Sequence, residues 1–199
     1  MKNIKMHWRQ INKEIGNIDI YLLDVLLKGY IDDEAKILDV GCGEGRNIHY
    51  FLKNQYDVFG LDKDPQAIQF VRMLAKQFGH EDLEGRFQRM SMDQLKFPDN
   101  CFDLTISSAV LHFVKSEEEY ERAIQELHRV TKKGGLIFIR SMSGQIDPNK
   151  EEEPPIYFLL SEELREKLIS PSRFTCLEPY KYVTVAEKRV MNVMVLQKI

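Results

Sequence analysis

The sequence has no run of apolar residues long enough to cross a bilayer. Its apolar content of 43% is ordinary, and no stretch approaches the roughly 20 apolar residues that a membrane-spanning helix requires. The opening residues, MKNIKMHWRQ, also lack the apolar core of a secretory signal. We therefore expect a cytoplasmic protein with no membrane partner.

Cysteine is scarce, and neither sign of charge is in large excess. Cys42, Cys101 and Cys176 are odd in number and scattered, which is typical of a reducing compartment rather than of a disulfide framework. No CxxC or HxxxH pair occurs, so we expect no metal site. The net charge of −3 arises from interspersed lysines and glutamates and does not favour nucleic acid as a partner. The composition leaves the oligomeric state open.

Strand and helix patterns alternate along most of the chain. Strands are predicted at residues 36–40, 58–61, 85–90, 102–107 and 136–140, and helices at residues 18–27, 46–53, 65–78 and 117–130. Gly134 and Gly135 are expected to act as a stop between the last of these helices and the fifth strand. The alternation predicts an α/β fold, a doubly wound Rossmann-like and mostly parallel sheet with helices on both faces.

The remainder of the chain has a different pattern. Residues 141–155 are polar and rich in Pro and Glu, as expected of a ligand-contacting lid or of a solvated linker. A helix over residues 161–168, with Ser161 as its N-cap, comes next. Two β-like runs at residues 174–182 and 189–198 then predict a C-terminal antiparallel hairpin.

A glycine-rich turn and an acidic strand end form the strongest local signal. Residues 37–45 read ILDVGCGEG, so an apolar strand runs directly into Gly41, Gly43 and Gly45. Such a turn lets a ligand approach the backbone closely, and the helix start that follows offers free N–H groups to an anion. About 20 residues later the second strand ends in Asp62, a position from which a carboxylate can accept hydrogen bonds from ribose hydroxyls. The pair predicts a ligand with an anionic group and a ribose.

The spacing of these residues disfavours two common nucleotide classes. The dinucleotide fingerprint GxGxxG needs its third glycine where this chain has Arg46. A Walker loop needs Gly-Lys followed by Ser or Thr, which occurs nowhere in the chain. Neither a pyrophosphate cofactor nor a nucleoside triphosphate is therefore expected.

Five segments, in order, resemble the class I S-adenosylmethionine-dependent methyltransferases. They are ILDVGCGEG, VFGLDKDP, MSMDQLKFPDNCFDLTISSAVLHF, ELHRVTKKGGLIFI and the closing hairpin. The resemblance implies S-adenosylmethionine as cofactor, S-adenosylhomocysteine as product, and methyl transfer by in-line displacement. GEGRNIHYF and the short length look most like the tellurite-resistance type and other compact bacterial enzymes that act on small molecules.

The same resemblance implies roles for individual positions. The residues that it assigns to the cofactor are Asp39, Gly41, Gly43, Gly45, Asp62, Lys63, Ser91, Met92, Asp93 and Ser107. The glycines would bring backbone against the methionyl carboxylate and amine, Asp62 would accept from the ribose, and Lys63 would flank the adenine. Asp39 would lie near the methionyl group, although a turn-stabilising role explains it as well.

One position departs from the family pattern. Where relatives carry an acid that accepts from the adenine amino group, this chain has Ser91, and Asp93 follows two positions late. We expect Met92 to supply backbone and an apolar face to the adenine, with Asp93 beside it, or else Ser91 to make the contact. A hydrogen bond to a charged acceptor is worth about 1.5 to 3 kcal/mol, and a neutral one about 1 kcal/mol. The exact adenine contacts therefore stay open, and a lower cofactor affinity is expected.

The resemblance also implies an arrangement of the single domain that a chain of this length predicts. An N-terminal helical cap or lid (residues 1–34), which includes His7, Trp8 and Arg9, would precede the cofactor-binding core (residues 35–140). The substrate loop, helix and hairpin would follow (residues 141–199).

The acceptor side is defined mainly by missing motifs. The end of the fourth strand reads SSAVLH, without the [DN]PP[YF] motif of amino-methylating enzymes, and the Pro-Cys nucleophile of cytosine-C5 enzymes is missing. We therefore expect a small-molecule acceptor. His112 is the best candidate for a catalytic base, because imidazole titrates near neutral pH, although packing against the next helix explains it too. The alternatives are a protein or RNA methyltransferase that acts with a partner and a non-catalytic S-adenosylmethionine-binding module; Arg46 disfavours a nicotinamide dehydrogenase.

Overall fold

A computed structural model describes residues 8–145, 157–187 and 189–199. His7 and most of the predicted polar loop lie outside these residues. The strands are β1 (Lys36–Val40), β2 (Asp57–Asp62), β3 (Phe87–Arg89), β4 (Phe102–Ser108), β5 (Thr131–Gln145), β6 (Phe174–Cys176), β7 (Lys181–Val185) and β8 (Arg189–Lys198). The helices are α1 (Trp8–Ile15), α2 (Ile20–Leu27), α3 (Ile48–Lys53), α4 (Pro65–Gln77), α5 (Leu83–Arg86), α6 (Glu117–Val130) and α7 (Glu162–Leu168), with a 3-10 turn at Leu111–Phe113.

The strands form a single sheet in the order β3-β2-β1-β4-β5-β8-β6, and β7 also pairs with β8. The first five strands in this order run parallel, whereas β8 runs antiparallel to β5, β6 and β7. This confirms the predicted fold class, including the antiparallel C-terminal hairpin. Because β1 has β2 on one side and β4 on the other, the carboxyl end of β1 is the point where the strand order reverses, which is where such sheets bind ligands.

Each face of the sheet carries its own hydrophobic core. Side chains alternate between the two faces along a strand, so Ile137 and Ile139 pack toward α6 and α7, whereas Phe138 packs toward α2, α3 and α4. A strand that is buried on both faces contains a continuous run of apolar residues, and the LIFI segment of β5 is such a run. The site at the carboxyl edge therefore rests on strands that are held from both sides.

Capping side chains fix several helix starts. Asp64 accepts from the Gln66 amide at 2.8 Å before α4, and Ser116 accepts from the Glu119 amide before α6. Ser161 caps α7 by accepting from the Leu164 amide at 3.1 Å, which confirms the predicted N-cap. The bounds of α6 agree with the prediction at both ends.

Two predicted strand boundaries are wrong. Residues 83–86 form α5, which begins after Asp82 in a left-handed conformation (φ 51°), so the third strand is only Phe87–Arg89. The glycine pair does not separate helix from strand, because β5 begins at Thr131, directly after α6, and Thr131 pairs with Phe102. Gly134, with φ 77°, instead lies at an irregularity within β5.

Two further corrections concern the C-terminal part of the chain. The fifth strand extends to Gln145, into the segment predicted to be a loop, because β8 supplies pairing partners for its extension, with a register shift between Met142 and Gly144. The predicted run over residues 174–182 is divided into β6 and β7, both of which pair with β8. Across the three described segments, none of the helices is both long and apolar enough to span a membrane.

Candidate functional site

The glycine turn after β1 is tied to the end of β2. The amides of Gly41 and Cys42 both donate to the Leu61 carbonyl, at 2.8 and 2.9 Å. A Cβ added at Gly41, where φ is 74°, would lie 2.3 Å from Val110 Cγ2, so only glycine fits there. At Gly43, with φ 52°, no described atom lies within 4 Å of the position of a Cβ. The backbone therefore faces open space at the point where the sequence predicts a ligand.

Asp62 is held at this turn by two backbone amides. Its Oδ2 accepts from the Gly43 amide at 2.8 Å, and its Oδ1 accepts from the Asp64 amide at 2.9 Å. A carboxylate oxygen can accept more than one hydrogen bond, so Asp62 keeps capacity for ribose hydroxyls while its orientation is fixed. Lys63 follows it and lies 3.6 Å from Glu119 of α6.

Asp39 is a buried carboxyl group beside the turn. Burial raises the pKa of Asp39 to about 7; the Arg46 charge opposes this rise, and the Asp62 charge adds to it. Within the described part of the chain, Asp39 Oδ2 has no hydrogen-bond partner, and neither does Ser107 Oγ on β4. Buried polar groups are nearly always satisfied by protein, water or a ligand, so each of these two atoms has capacity for a further polar partner.

The predicted adenine-side residues lie next to Asp62. The Met90 amide donates to the Asp62 carbonyl at 3.0 Å, which places this segment against the end of β2. Ser91 Oγ donates to Asp93, and this hydrogen bond contributes most to lowering the pKa of Asp93. Met92 is buried in the hydrophobic core. The two alternatives for the adenine contact, Ser91 and Asp93, thus belong to one hydrogen-bonded pair.

His112 lies in the 3-10 turn after β4 and packs among aromatic rings. Its ring centroid is 4.5 Å from that of Phe113 and 5.3 Å from that of Tyr157. Burial lowers the pKa of His112 to about 4, and the charge of Arg189 adds to the effect. The imidazole is therefore neutral at physiological pH and a weak proton acceptor. Packing is observed, whereas a role as base stays a prediction.

A charged cluster around the buried Asp19 at this edge was missed by the sequence analysis. Asp19 Oδ2 accepts from Arg140 Nη1 at 2.9 Å and from Ser108 Oγ at 3.0 Å, and Arg46 Nη2 approaches it at 3.4 Å. Burial opposes ionisation of Asp19, but the charge of Arg140 and the hydrogen bonds outweigh it, so the pKa of Asp19 is lowered. Two features of the sequence could have indicated this cluster: Arg140 is a charged residue at the end of an apolar strand, and Arg46 directly follows the glycine turn.

These residues fit S-adenosylmethionine. The open backbone at Gly43 and the unpaired oxygen of Asp39 suit the methionyl group that the resemblance assigns to them, and Asp62 retains acceptor capacity that suits a ribose. Arg46 donates to Ser108 at 3.0 Å, yet 42% of its side chain is exposed, so its guanidinium remains accessible to an anion.

Comparison with known proteins gives the family. The model of a family described as a methyltransferase domain matches residues 38–139, just over half of the chain. YcgJ, an uncharacterized methyltransferase of Bacillus subtilis, is 28% identical over 120 residues, which are 60% of this chain. This chain spans about half the length of the first curated relatives it matches, 45% of YcgJ and 46% of YodH, a second Bacillus subtilis protein.

Solved structures share the fold. TehB from Haemophilus influenzae superposes with a TM-score of 0.75 at 18% identity, over 96% of this chain and 66% of that one. A SAM-dependent methyltransferase from Methanosarcina mazei gives a TM-score of 0.68 at 23% identity, over 87% of this chain and 97% of that one. Because the family model covers more than half of the sequence and the fold agrees with it, the chain belongs to the methyltransferase-domain family.

Proposed function

We propose that this chain is an enzyme that transfers the methyl group of S-adenosylmethionine to a small-molecule acceptor. One observation supports this most directly: the backbone at Gly43 is open to solvent while its amide holds the Asp62 carboxylate in place. Open backbone and a fixed carboxylate acceptor at one turn suit a ligand with a charged end and a ribose.

In this proposal the protein supplies alignment rather than reactive groups. The bound cofactor supplies an activated methyl group. Asp39 and the half-exposed Arg46 would hold the methionyl ammonium and carboxylate, Asp62 would hold the ribose, and the Ser91–Asp93 pair would border the adenine. Holding the methyl donor in a fixed alignment with its acceptor lowers the barrier to an in-line displacement.

The acceptor would approach beside the aromatic group of His112, Phe113 and Tyr157. Phe113 is 58% exposed, and an exposed ring at the carboxyl edge suits an acceptor with an apolar part. With a pKa of about 4, His112 is unprotonated and can accept a hydrogen bond from an acceptor hydroxyl or amine. A net charge of −3 also favours a small molecule over nucleic acid.

The proposal is tested by calorimetry with S-adenosylhomocysteine on the wild type and on Asp62→Asn. Asn keeps the size of the side chain but loses the charged acceptor, so we expect binding to weaken by about tenfold or more, which is about 1.4 kcal/mol. Asp64→Asn is the matched control, because Asp64 lies two residues away and caps α4. No binding by the wild type, or equal affinity of wild type and Asp62→Asn, would contradict the assigned site.

Turnover separates the enzyme from its alternatives. The wild type is incubated with S-adenosylmethionine and a panel of small acceptors, and S-adenosylhomocysteine formation is measured. Turnover that Asp62→Asn reduces supports the proposal. Tight cofactor binding without turnover across the panel favours a non-catalytic binding module. RNA or protein that co-purifies, and on whose addition turnover depends, favours an enzyme that acts with a partner.

A further inference from the structure

A cleft separate from the glycine turn lies at the same edge of the sheet. β4 ends at Ser108, opposite Arg140, whereas β5 continues to Gln145 with β8 beside it. The cleft, of about 280 Å³, is bordered by this overhang, by α7 and by Tyr182 of β7. It is therefore at the carboxyl edge, on the face of the sheet covered by α6 and α7.

The cleft is lined by polar atoms that are left unpaired. Asn192 of β8 is only 1% exposed, yet neither its Nδ2 nor its Oδ1 has a partner among the described residues. Among the described residues, Ser143 Oγ and Arg165 Nε also lack a hydrogen-bond partner, and both residues line the cleft. Each unsatisfied buried group costs about 1 to 3 kcal/mol. Unpaired groups from three separate elements around one cleft indicate a ligand that completes them.

Tyr182 lies over this group and can expose it. It pairs directly with Asn192 in the β7–β8 register, so the two side chains share a face. Its hydroxyl accepts from Arg165 Nη1, yet the residue is 52% exposed. Arg165 itself is held by stacking, 4.5 Å from the centroid of the Tyr180 ring. Rotation of the half-exposed Tyr182 ring would open the cleft by breaking its hydrogen bonds to Arg165 and Glu162. The Tyr180 ring would still hold the arginine.

The cleft is linked to the proposed methyl-transfer site by a short segment. The Phe158 amide donates to the His112 carbonyl at 2.9 Å, and the Leu160 amide donates to the Met142 carbonyl at 3.0 Å. Leu160 lines the cleft, and Tyr157 packs on His112. A ligand in the cleft thus lies along the same wall as the aromatic group beside which the acceptor would approach.

We propose that this cleft binds the carboxylate of the methyl acceptor, and that the acceptor carries a hydroxyl or amino group next to that carboxylate. Asn192 Nδ2, Arg165 Nε and Ser143 Oγ supply hydrogen-bond donors for a carboxylate, and Asn192 Oδ1 would accept from the neighbouring group. The Glu162 and Glu166 side chains beside Arg165 are 71% and 75% exposed, so solvent weakens their competition. This inference rests on the proposed function.

The test is an NMR titration of the full chain with mandelate, a 2-hydroxy carboxylate, and with mandelamide, its neutral analogue. Mandelate is expected to shift the side-chain N–H signals of Asn192 and Arg165 and to bind about tenfold or more tightly than mandelamide. Asn192→Leu and Arg165→Met are expected to lose the mandelate response. Thr184→Val is the matched control, because Thr184 is exposed on the same face of β7, and it is expected to keep the response.

Stability gives a second readout that a purely structural role would not produce. Asn192→Leu removes an unpaired buried amide, so we expect the melting temperature to rise while mandelate binding is lost. A lower melting temperature, unshifted side-chain signals in the wild type, or unchanged mandelate affinity in Asn192→Leu would overturn the inference. S-adenosylhomocysteine affinity is measured on the same samples: if it is retained without a mandelate response, the acceptor subsite alone fails, whereas if the wild type lacks it, the proposed function fails.

Discussion

The protonation state of Asp39 depends on the charges beside it. Because the pKa of this carboxyl group is about 7, it is part-protonated at neutral pH, and a neighbouring cation would lower that pKa. We predict that S-adenosylhomocysteine, through its ammonium group, releases a fraction of a proton on binding at pH 7 and therefore binds more tightly as the pH rises toward 7. Calorimetry in buffers of different ionisation enthalpy measures this release.

Asp39→Asn is the control variant for this proton release. Asn is close in size and has no proton to release, so the buffer dependence is expected to disappear in this variant. The dependence is also expected to shrink well above pH 7, where the wild-type carboxyl group is already ionised. Release of equal size in wild type and Asp39→Asn would show that the proton comes from another group.

Gly41 and Gly79 share a backbone conformation but differ in their surroundings. Both have positive φ, 74° and 79°, but a Cβ at Gly41 would meet Val110 at 2.3 Å, whereas no described atom lies within 4 Å of one at Gly79. Gly79→Ala is predicted to cost about 1 kcal/mol from φ strain alone. Gly41→Ala is predicted to cost about 1 to 3 kcal/mol more from overpacking. Urea unfolding compares the two variants, and equal losses would contradict the predicted clash.

At the scale of elements, Asp19 joins the start of α2 to the ends of β4 and β5. It caps α2 by accepting from the Tyr21 amide and also neutralises Arg140 within the protein. Asp19→Ala would leave the partly buried Arg140 guanidinium without its carboxylate, so a loss of about 3 kcal/mol of unfolding free energy is expected. Asp64→Ala removes only a helix cap and is expected to cost about 1 kcal/mol. Thermal or urea unfolding of both variants checks the difference.

The direction of the Asp19 pKa shift predicts how the stability effect of Asp19→Ala depends on pH. Its pKa is lower in the folded chain than in the unfolded one, so its contribution is present above the unfolded pKa of about 3.9. That contribution is lost as the pH falls through the folded value. The stability difference between wild type and Asp19→Ala should therefore narrow in acid. A difference that widens in acid would show that the carboxylate does not stabilise the folded chain.

The elements that the sequence predicts well are those with local chemical signals at their ends. α6 begins after a capping serine, Ser116, and α4 begins at Pro65 after a capping aspartate. The glycine pair in β5 misleads because the same residues that stop a helix also allow a strand irregularity, and only the pairing with β4 distinguishes the two. β5 is longer than its apolar run because β8, which lies far along the chain, supplies its partners.

The candidate site also has features that the sequence predicts and features that it does not. The glycine turn and Asp62 form a motif of fixed spacing, and their joining by the Gly43 amide follows from that motif. The contact of Asp19 with Arg140 spans 121 positions in the sequence, so no local pattern signals it. The pairing of Ser91 with Asp93 needed side-chain conformations that spacing does not determine.

At the scale of the whole molecule, an ion network links α2 to the C-terminal strands. Glu178 is 8% exposed and accepts from both Lys28 and Lys181, and Asp24 of α2 accepts from the same two lysines. Burial disfavours ionisation of Glu178, but the two lysines outweigh it and lower its pKa. The network thus holds α2 against the far edge of the sheet.

Glu178→Gln is predicted to lower the unfolding free energy by about 1 kcal/mol, a value reduced by the partial exposure of both lysines. Hydrogen exchange in α2 is expected to quicken, because the helix loses its attachment to the hairpin. Glu14→Gln is the matched control, since Glu14 pairs with Lys53 but is 68% exposed, and almost no change is expected. Unaltered exchange in α2 of Glu178→Gln would contradict the attachment.

The position of β8 between β5 on one side and β6 and β7 on the other has a consequence for synthesis on the ribosome. β5 is synthesised before β8 and has apolar residues on both faces, so its outer edge stays unpaired until β8 inserts beside it. An exposed apolar edge invites pairing with other chains. We therefore expect the nascent protein to be prone to aggregation over this interval, and a ribosome that stalls before β8 to leave a product that cannot cover this edge.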